Sequence, residues 1–373
     1  MPSRPHVIVL GDGIFGTSTA HALADAGARV TQIGRGPGSG GATWRSFAWL
    51  NAAQAVPEAY HRLRLLSLSR YRTWAQGPAG SAIHFPGALA WERDGATVQL
   101  LQGAEEVEPV AGTYRRLRDL GHDVRSISAA AAQALEPALA SESLAAEGIL
   151  WSRDEGWVDL PALVGLLRAE FPGRYVQSRA TLLLDDAGTA SVRLADGTVI
   201  AGDAVVVAAG ASTRPVFAEV GIPVPERSTK AALLFTEPAP IQPRMLLRTP
   251  AGSVRPRPGG GLVVHTSDVE SQVRIDESGQ VVLDDPAVID AALERVAGCF
   301  RGDVRLALDR VALGMRPIPG DGLPIVGRVA GTCFVAFSHS GATLGPIIGE
   351  LLAGEVLGTQ SPLLAPFRPG RFA

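Results

Sequence analysis

The residues whose types and spacing point most clearly to chemistry lie near the amino terminus, in the run Gly11-Asp12-Gly13-Ile14-Phe15-Gly16. The preceding apolar run, Val7 to Leu10, is typical of a parallel strand buried on both faces. A helix is predicted over Thr17 to Ala26 and a second strand over Arg29 to Ile33. In such a unit the three glycines allow a tight turn, close approach of a pyrophosphate, and tight packing of helix on strand. The helix amides and dipole favour the phosphates. The pattern therefore predicts a dinucleotide site.

The second strand lacks the acidic residue that usually holds the adenosine ribose at its end. The sequence there reads Gln32-Ile33-Gly34-Arg35, and Gly34 takes the acidic position. One interpretation is that backbone, water or Arg35 holds the ribose. The other is NADP, whose 2′-phosphate an arginine accommodates. The glycine run alone leaves FAD and NADP open.

The elements that must position this loop are scattered along the chain. A second parallel strand is predicted within Asp203 to Gly210, and a third over Cys333 to Phe337, followed by a turn and a helix over Leu344 to Leu357. One nucleotide-binding domain assembled from distant segments would account for them. Short strands between Pro and Gly turns in residues 81–93 and 228–268 predict an antiparallel sheet in a second domain. Residues 97–145 are Ala-rich and predicted to be helical.

Composition and charge exclude several classes of function. The chain of 373 residues has 34 basic and 37 acidic side chains, a net charge of −3, and no dense basic block, which argues against nucleic acid as a partner. No apolar stretch approaches the length of a membrane span, so a cytoplasmic location is expected by default. Cys299 and Cys333 are far apart and lack neighbouring ligands. They are expected to be buried thiols, and no metal site is predicted.

The carboxyl-terminal part resembles the D-amino-acid oxidase and glycine oxidase family of FAD-dependent oxidoreductases. The resemblance rests on four segments: Gly314-Met315-Arg316-Pro317, Asp321 to Gly327, Phe337-Ser338-His339-Ser340-Gly341, and Ala365 to Phe372. With the amino-terminal unit it spans nearly the whole chain. It implies an α/β fold in which a discontinuous Rossmann-like FAD-binding domain is covered by an antiparallel-sheet substrate domain of α+β type. The implied FAD-binding segments are 1–80, 146–222 and 308–373, and the substrate domain is 81–145 and 223–307.

The resemblance also implies which residues contact FAD. The loop from Gly41 to Ser46 would pass the flavin, Thr181 would offer a backbone contact to adenine, and Ser340 to Leu344 would face the flavin pyrimidine. Some relatives attach flavin covalently through a His in the Gly41 loop, but Arg45 stands there in this chain. Other relatives use a Cys near the place of Arg316, and this chain has no Cys near that residue. Noncovalent FAD is therefore expected. The full set of expected cofactor-binding residues is Gly11, Gly13, Ile14, Phe15, Gly16, Arg35, Ala42, Thr43, Arg45, Ser46, Thr181, Ala208, Gly210, Ser340, Gly341, Ala342, Thr343 and Leu344.

Four residues are expected at the substrate: Arg316, Trp49, Asn51 and His265. Arg316 corresponds to the family arginine that grips a substrate carboxylate, a task for which a planar fork of donors is suited; the alternative is a structural arginine before a turn. Trp49 is either a pocket wall or a core residue, and His265 is either a substrate contact or an ordinary strand residue.

Three further positions are expected to have other roles. Ser253 stands near the place of a family Tyr, which alters the usual carboxylate clamp. His339 is expected to orient its turn. Arg255, with Arg257, is expected in a solvated turn.

The predicted function is oxidation of an amine or amino acid by hydride transfer to flavin, with an imine product and oxygen as the acceptor. No general base is required if the amine binds unprotonated. One alternative is a dehydrogenase that passes electrons to another acceptor. A second alternative is a flavin-binding subunit of a hetero-oligomeric complex. Substrate identity, stereochemistry and oligomeric state are left open by the sequence.

Overall fold

A computed structural model describes residues 4–36, 40–52, 56–92, 110–145 and 148–372. The prediction of helix over 97–145 falls partly outside these residues. Within them, the α-helices are α1 (Ile14–Asp25), α2 (Glu58–Trp74), α3 (Val110–Asp119), α4 (Ala129–Leu135), α5 (Leu160–Ala169), α6 (Thr213–Ala218), α7 (Ser267–Ser271), α8 (Ala287–Ala297) and α9 (Gly341–Val356). Among the described residues, none of these helices combines the length and apolar character needed to cross a bilayer.

The strands of the same residues form five sheets. They are β1 (His6–Leu10), β2 (Arg29–Gly34), β3 (Trp49–Leu50), β4 (Ile83–His84), β5 (Ala88–Ala90), β6 (Val124–Ile127), β7 (Ile149–Ser152), β8 (Gly156–Val158), β9 (Arg174–Gln177), β10 (Ala180–Leu184), β11 (Ala190–Leu194), β12 (Val199–Ala201), β13 (Ala204–Val207), β14 (Thr229–Thr236), β15 (Leu246–Thr249), β16 (Gly252–Pro256), β17 (Leu262–His265), β18 (Val273–Ile275), β19 (Val281–Leu283), β20 (Leu308–Arg316), β21 (Ile325–Ala330) and β22 (Cys333–Phe337).

A six-stranded, mostly parallel sheet forms the Rossmann-like part of the α/β fold. Its order is β21-β22-β13-β1-β2-β9, and only the edge pair β21–β22 is antiparallel. Along β1, Val7 and Val9 pack into one apolar cluster and Ile8 and Leu10 into another. The strand is therefore buried on both faces, as its continuous apolar run predicts. The prediction of a parallel sheet gathered from distant segments is confirmed.

An eight-stranded sheet forms the second layer, in the order β20-β14-β17-β16-β15-β5-β7-β6. The predicted antiparallel character is confirmed except at β15–β5, which run parallel. The predicted domain boundaries at 146 and 308 cut across this sheet, because β7 pairs with β5 and β20 pairs with β14. Within 97–145, the prediction of an all-helical segment was wrong at Val124–Ile127, which forms an edge strand on β7.

Helices α1 and α9 cross at very close range on one face of the six-stranded sheet. A Cβ on Gly345 would lie 2.5 Å from Cγ1 of Ile14, and one on Gly349 would lie 2.7 Å from the backbone carbon of Ser18. The small residues in α9 thus let the two backbones approach. The helix also begins at Gly341, three residues earlier than predicted, and α1 begins at Ile14 instead of Thr17. Both amino termini therefore reach the same end of the sheet.

The two cysteines lie in the interior, as predicted. Cys299 is buried in the core under the eight-stranded sheet, and Cys333 is buried in the core behind β13.

Candidate active site

The glycine loop lies at the carboxyl end of β1, where α1 begins. Gly11 has a φ of +132°, and a Cβ there would lie 2.2 Å from the carbonyl oxygen of Ala208. A Cβ on Gly16 would lie 2.2 Å from the carbonyl oxygen of Gly11. Thr43 closes the other side, where its Oγ1 accepts a hydrogen bond of 3.0 Å from the amide of Ile14. Only glycine fits at the first and third positions, so the loop has the geometry expected of a phosphate cradle.

A cleft of about 310 Å³ runs across this loop. Twelve of the expected cofactor-binding residues line it: Gly11, Gly13, Ile14, Phe15, Arg35, Ala42, Thr43, Ser46, Ala208, Gly210, Gly341 and Ala342. Gly16 lies beneath the loop, and Leu344 is buried in the core. Thr181 pairs with Arg193 in the β10–β11 hairpin, while the residues before it, Ser178 to Ala180, line the cleft.

A second cavity of about 130 Å³ adjoins the first and shares five lining residues with it. The shared residues are Ala42, Ser46, Pro317, His339 and Ala342. All four residues expected at the substrate, Arg316, Trp49, Asn51 and His265, line this second cavity. The expected cofactor residues Arg45, Ser340 and Thr343 also line it, as does Ser253. The structure thus brings together positions that are more than 200 residues apart in the sequence.

Arg316 forms the charged corner of the second cavity through a bidentate ion pair. Its Nη1 donates to Oε1 of Glu270 at 2.6 Å, and its Nη2 donates to Oε2 of the same carboxylate. His265 Nε2 lies 2.9 Å from Oε2 of Glu270. Although burial alone would raise it, the hydrogen bonds from His265 and Arg316 lower the pKa of Glu270 to about 2. Glu270 is therefore ionised, and it compensates the charge of Arg316.

The apolar wall of the second cavity is held in place by a buried carboxyl group. Trp49 Nε1 donates a hydrogen bond of 2.5 Å to Oε2 of Glu155, and Trp49 packs on Phe47 with ring centroids 5.8 Å apart. Burial raises the pKa of Glu155 to about 7, although the hydrogen bond from Trp49 acts in the opposite direction. The orientation of Trp49 thus depends on a group that titrates near neutrality.

The amino terminus of α9 faces the junction of the two cavities. Ser340 precedes the helix, and its hydroxyl accepts a hydrogen bond from Arg64. Thr343 Oγ1 donates to the carbonyl of Trp49 at 3.1 Å. Burial, with the charges of Arg316 and Arg64, lowers the pKa of His339 to about 3, so this imidazole is neutral at physiological pH. The amino terminus of α9 therefore favours negative charge at this junction, whereas the neutral His339 adds no charge to it.

Sequence reasoning missed Arg64, Glu270 and Glu155. Arg64 is buried on the face of α2 that carries Tyr60 and Leu63, and it lines the second cavity. The sequence does contain a signal for this burial, because Arg64 stands at a position of the helix where the periodicity predicts an apolar residue. Glu270 carries no such signal, because its partner Arg316 is 46 residues away on another element.

The prediction of a solvated turn was wrong for Arg255. This residue is buried, and its Nε donates to the carbonyl of Phe47 at 2.5 Å. Its guanidinium lies 4.8 Å from the ring centroid of Trp157. The Arg-Pro-Arg-Pro pattern predicts that solvent surrounds this guanidinium. In the structure, an aromatic ring and a carbonyl acceptor surround it instead.

Comparisons with known proteins place this geometry in context. The family model described as FAD dependent oxidoreductase matches residues 6–355. The chain is 28% identical over 384 residues to the uncharacterized oxidoreductase YurR of Bacillus subtilis, which covers 97% of this chain and 98% of the relative. It is 26% identical to a D-amino acid dehydrogenase of Methylobacterium radiotolerans, over 96% of this chain and 97% of the relative. Glycine oxidase from Geobacillus kaustophilus has the same fold, with a TM-score of 0.77, 22% identity and 98% of each chain covered.

Proposed function

Since the chain belongs to the family of FAD-dependent oxidoreductases, we propose that it oxidises an amino acid or amine at a carbon–nitrogen bond and uses oxygen as the acceptor. The observation that carries this proposal is the second cavity, because Arg316, His265, Trp49 and Asn51 line it and it shares a wall with the dinucleotide cleft. A small carboxylated molecule bound in the second cavity would therefore contact a cofactor that occupies the large cleft where the two meet. The D-amino acid dehydrogenase of M. radiotolerans and the glycine oxidase of G. kaustophilus support the substrate class.

The residues of the large cleft fit FAD. Gly11 and Gly16 pack so closely that any side chain would close the cradle, and the cleft is lined by Ile14 and Phe15 at the amino terminus of α1, where the helix dipole favours phosphate. Ser178, Arg179 and Ala180 also line the cleft and are proposed to contact the adenine. Arg45 donates to the carbonyl of Leu313 and offers no nucleophile for covalent attachment. FAD is therefore proposed to bind noncovalently.

The chemistry divides simply between cofactor and protein. Bound FAD would supply the two-electron acceptor for the substrate C–H bond. The substrate loses that hydrogen with its electron pair and a proton from nitrogen, which leaves an imine. Water hydrolyses the imine to a carbonyl compound and an amine or ammonia. Oxygen takes up the two electrons and two protons as peroxide.

The side chains of the second cavity bind and orient the substrate. Arg316 is proposed to hold the substrate carboxylate through two parallel hydrogen bonds, and for this it must exchange Glu270 for the substrate. Trp49 is proposed to exclude water from the cavity. Because His339 is neutral, it does not compete with Arg316 for the substrate carboxylate. A cavity of about 130 Å³ favours a small substrate.

A dehydrogenase that passes electrons to a different acceptor is the second candidate. The name of the M. radiotolerans relative, a D-amino acid dehydrogenase, favours it. The two candidates use the same binding residues and differ only in the oxidative half-reaction.

Absorption spectroscopy of the purified protein, followed by anaerobic titration with amino acids and amines, tests the proposal. We expect a yellow protein, release of the colour on denaturation, and bleaching by one class of carboxylated amine. Peroxide formed in air identifies the oxidase, and turnover only with an artificial dye identifies the dehydrogenase. A protein that binds FAD but is bleached by no amine or amino acid would refute the substrate class. Colour that stays with the denatured chain would refute noncovalent binding.

A further inference from the structure

The carboxyl group of Asp12 occupies the space that a side chain at position 34 would fill. A Cβ built on Gly34 would lie 2.2 Å from both Cβ and Cγ of Asp12, and 2.4 Å from its Oδ2. Real side chains do not approach so closely. An acidic residue at the end of β2 and Asp12 in its present position therefore exclude each other. Position 34 has no carboxylate of its own, and the carboxylate of Asp12 occupies the space where one would lie.

Asp12 is fixed in this position by residues from three elements. Its Oδ2 accepts a hydrogen bond of 2.8 Å from the amide of Gly36 and one of 3.0 Å from the hydroxyl of Tyr175 on β9. Arg168 Nη2 lies 3.8 Å from the same oxygen. Burial, and then Asp12, raise the pKa of Tyr175 to about 12, so its hydroxyl remains a donor. The orientation of the carboxylate is thus set before any ligand binds.

The second oxygen of Asp12 accepts no hydrogen bond from the residues that the structure describes. Among the described residues, the hydrogen bonds to this carboxylate all reach Oδ2, whereas a carboxylate accepts about four. Asp12 also lines the large cleft, together with Gly11, Gly13 and Arg35. We propose that Asp12 binds the hydroxyls of the adenosine ribose of FAD, in place of an acidic residue at the end of β2. Arg168 offsets the negative charge that this places near the pyrophosphate.

The proposal also bears on cofactor choice. A carboxylate at the ribose repels a 2′-phosphate, as an acidic residue at the end of β2 does in NAD-specific folds. The presence of Gly34 and Arg35 alone would have allowed NADP. With Asp12 in this position, the site selects a cofactor whose ribose is unmodified.

The test is the affinity of the apoprotein for FAD and for FAD analogues that lack the 2′- or the 3′-hydroxyl of the adenosine ribose. In the wild type, we expect loss of the contacted hydroxyl to weaken binding about tenfold or more, as for hydrogen bonds to a charged group. In Asp12→Ala, FAD should bind correspondingly weaker, and the analogue should bind as well as FAD. Asp25→Ala, an exposed carboxylate at the far end of α1, is the matched control and should retain wild-type discrimination.

An analogue that loses the same factor in wild type and in Asp12→Ala would overturn the proposal, because Asp12 would then act only on the loop at Gly36. Thermal unfolding of each apoprotein separates weak binding from poor folding. Should Asp12→Ala not fold, Asp12→Asn keeps the size and an acceptor while removing the charge. A hydrogen bond to a neutral acceptor is weaker than one to a carboxylate, so Asp12→Asn should discriminate less than the wild type, and equal discrimination would overturn the proposal.

The geometry permits a reciprocal test. Gly34→Ala places a methyl group on Asp12 and should weaken FAD binding strongly, whereas the same change in an Asp12→Gly background should have little effect. The swap Asp12→Gly with Gly34→Glu should restore preference for the intact ribose. Equal effects of Gly34→Ala in both backgrounds would show that the two side-chain positions do not compete. None of these measurements involves a substrate, so they stand apart from the outcome of the amine titration.

Discussion

Replacement of Glu155 by Gln should remove a pH dependence of folding stability. The pKa of this carboxyl group is raised by burial from an ordinary 4.5 to about 7, so the protonated form is favoured in the fold. Its contribution to stability is therefore fully present below pH 4.5 and is lost as pH rises through 7. The gap between the two pKa values corresponds to ~3 kcal/mol. Gln keeps an oxygen acceptor for Trp49 and cannot ionise.

Urea unfolding of wild type and Glu155→Gln at pH 5 and pH 8 checks this reasoning. The advantage of the Gln variant over wild type should grow by about 2 to 3 kcal/mol between the two pH values. Asp154→Asn provides the matched control, because Asp154 is the adjacent acidic residue, is half exposed and pairs with Arg72. A constant difference between wild type and Glu155→Gln at both pH values would show that the carboxyl group is not held protonated by the fold.

Two further predictions concern the substrate arginine and the helix crossing. Arg316→Ala should raise KM for a carboxylated substrate by roughly 10- to 100-fold, the value of a charge-assisted pair, and Glu270→Gln should lower it by removing the competing carboxylate. Equal changes in KM for an amine without a carboxylate would contradict that role. Gly349→Ala should destabilise the fold by about 1–3 kcal/mol through overpacking against α1, whereas Gly354→Ala on the same helix should be neutral or stabilising by up to ~1 kcal/mol. Thermal or denaturant unfolding of the pair checks this, and equal effects of the two changes would contradict the close crossing.

Much of the fold was predictable because local patterns determine it. The apolar run at Val7 to Leu10 and the run at Cys333 to Phe337 have one stable environment, the centre of a parallel sheet. The sequence did not show that the strand Leu308–Arg316 belongs to the eight-stranded sheet. That strand pairs with Thr229–Thr236, about 80 residues away, and nothing in its own composition shows which sheet will accept it. Sheet assignment depends on the partner, and the partner is distant in sequence.

The candidate site divides in the same way. Arg316 and His265 were expected at the substrate, and they line one cavity. What the sequence did not reveal is that Glu270 neutralises Arg316, because an ion pair depends on the meeting of two elements. Asp12 and Gly34 were both visible in the sequence. Their relation was not, because it depends on how closely the Asp12 side chain approaches the end of β2, where a Cβ on Gly34 would lie 2.2 Å from it.

The mutual exclusion of side chains at positions 12 and 34 also limits the order in which such a sequence can evolve. An ancestor with the acidic residue at position 34 cannot acquire Asp12 first, because the intermediate would contain both side chains in one volume. The route open to it passes through an intermediate that has an acidic side chain at neither position. Substitutions at the two positions should therefore be inherited as a pair, and relatives with a small residue at the first should regain an acidic residue at the second.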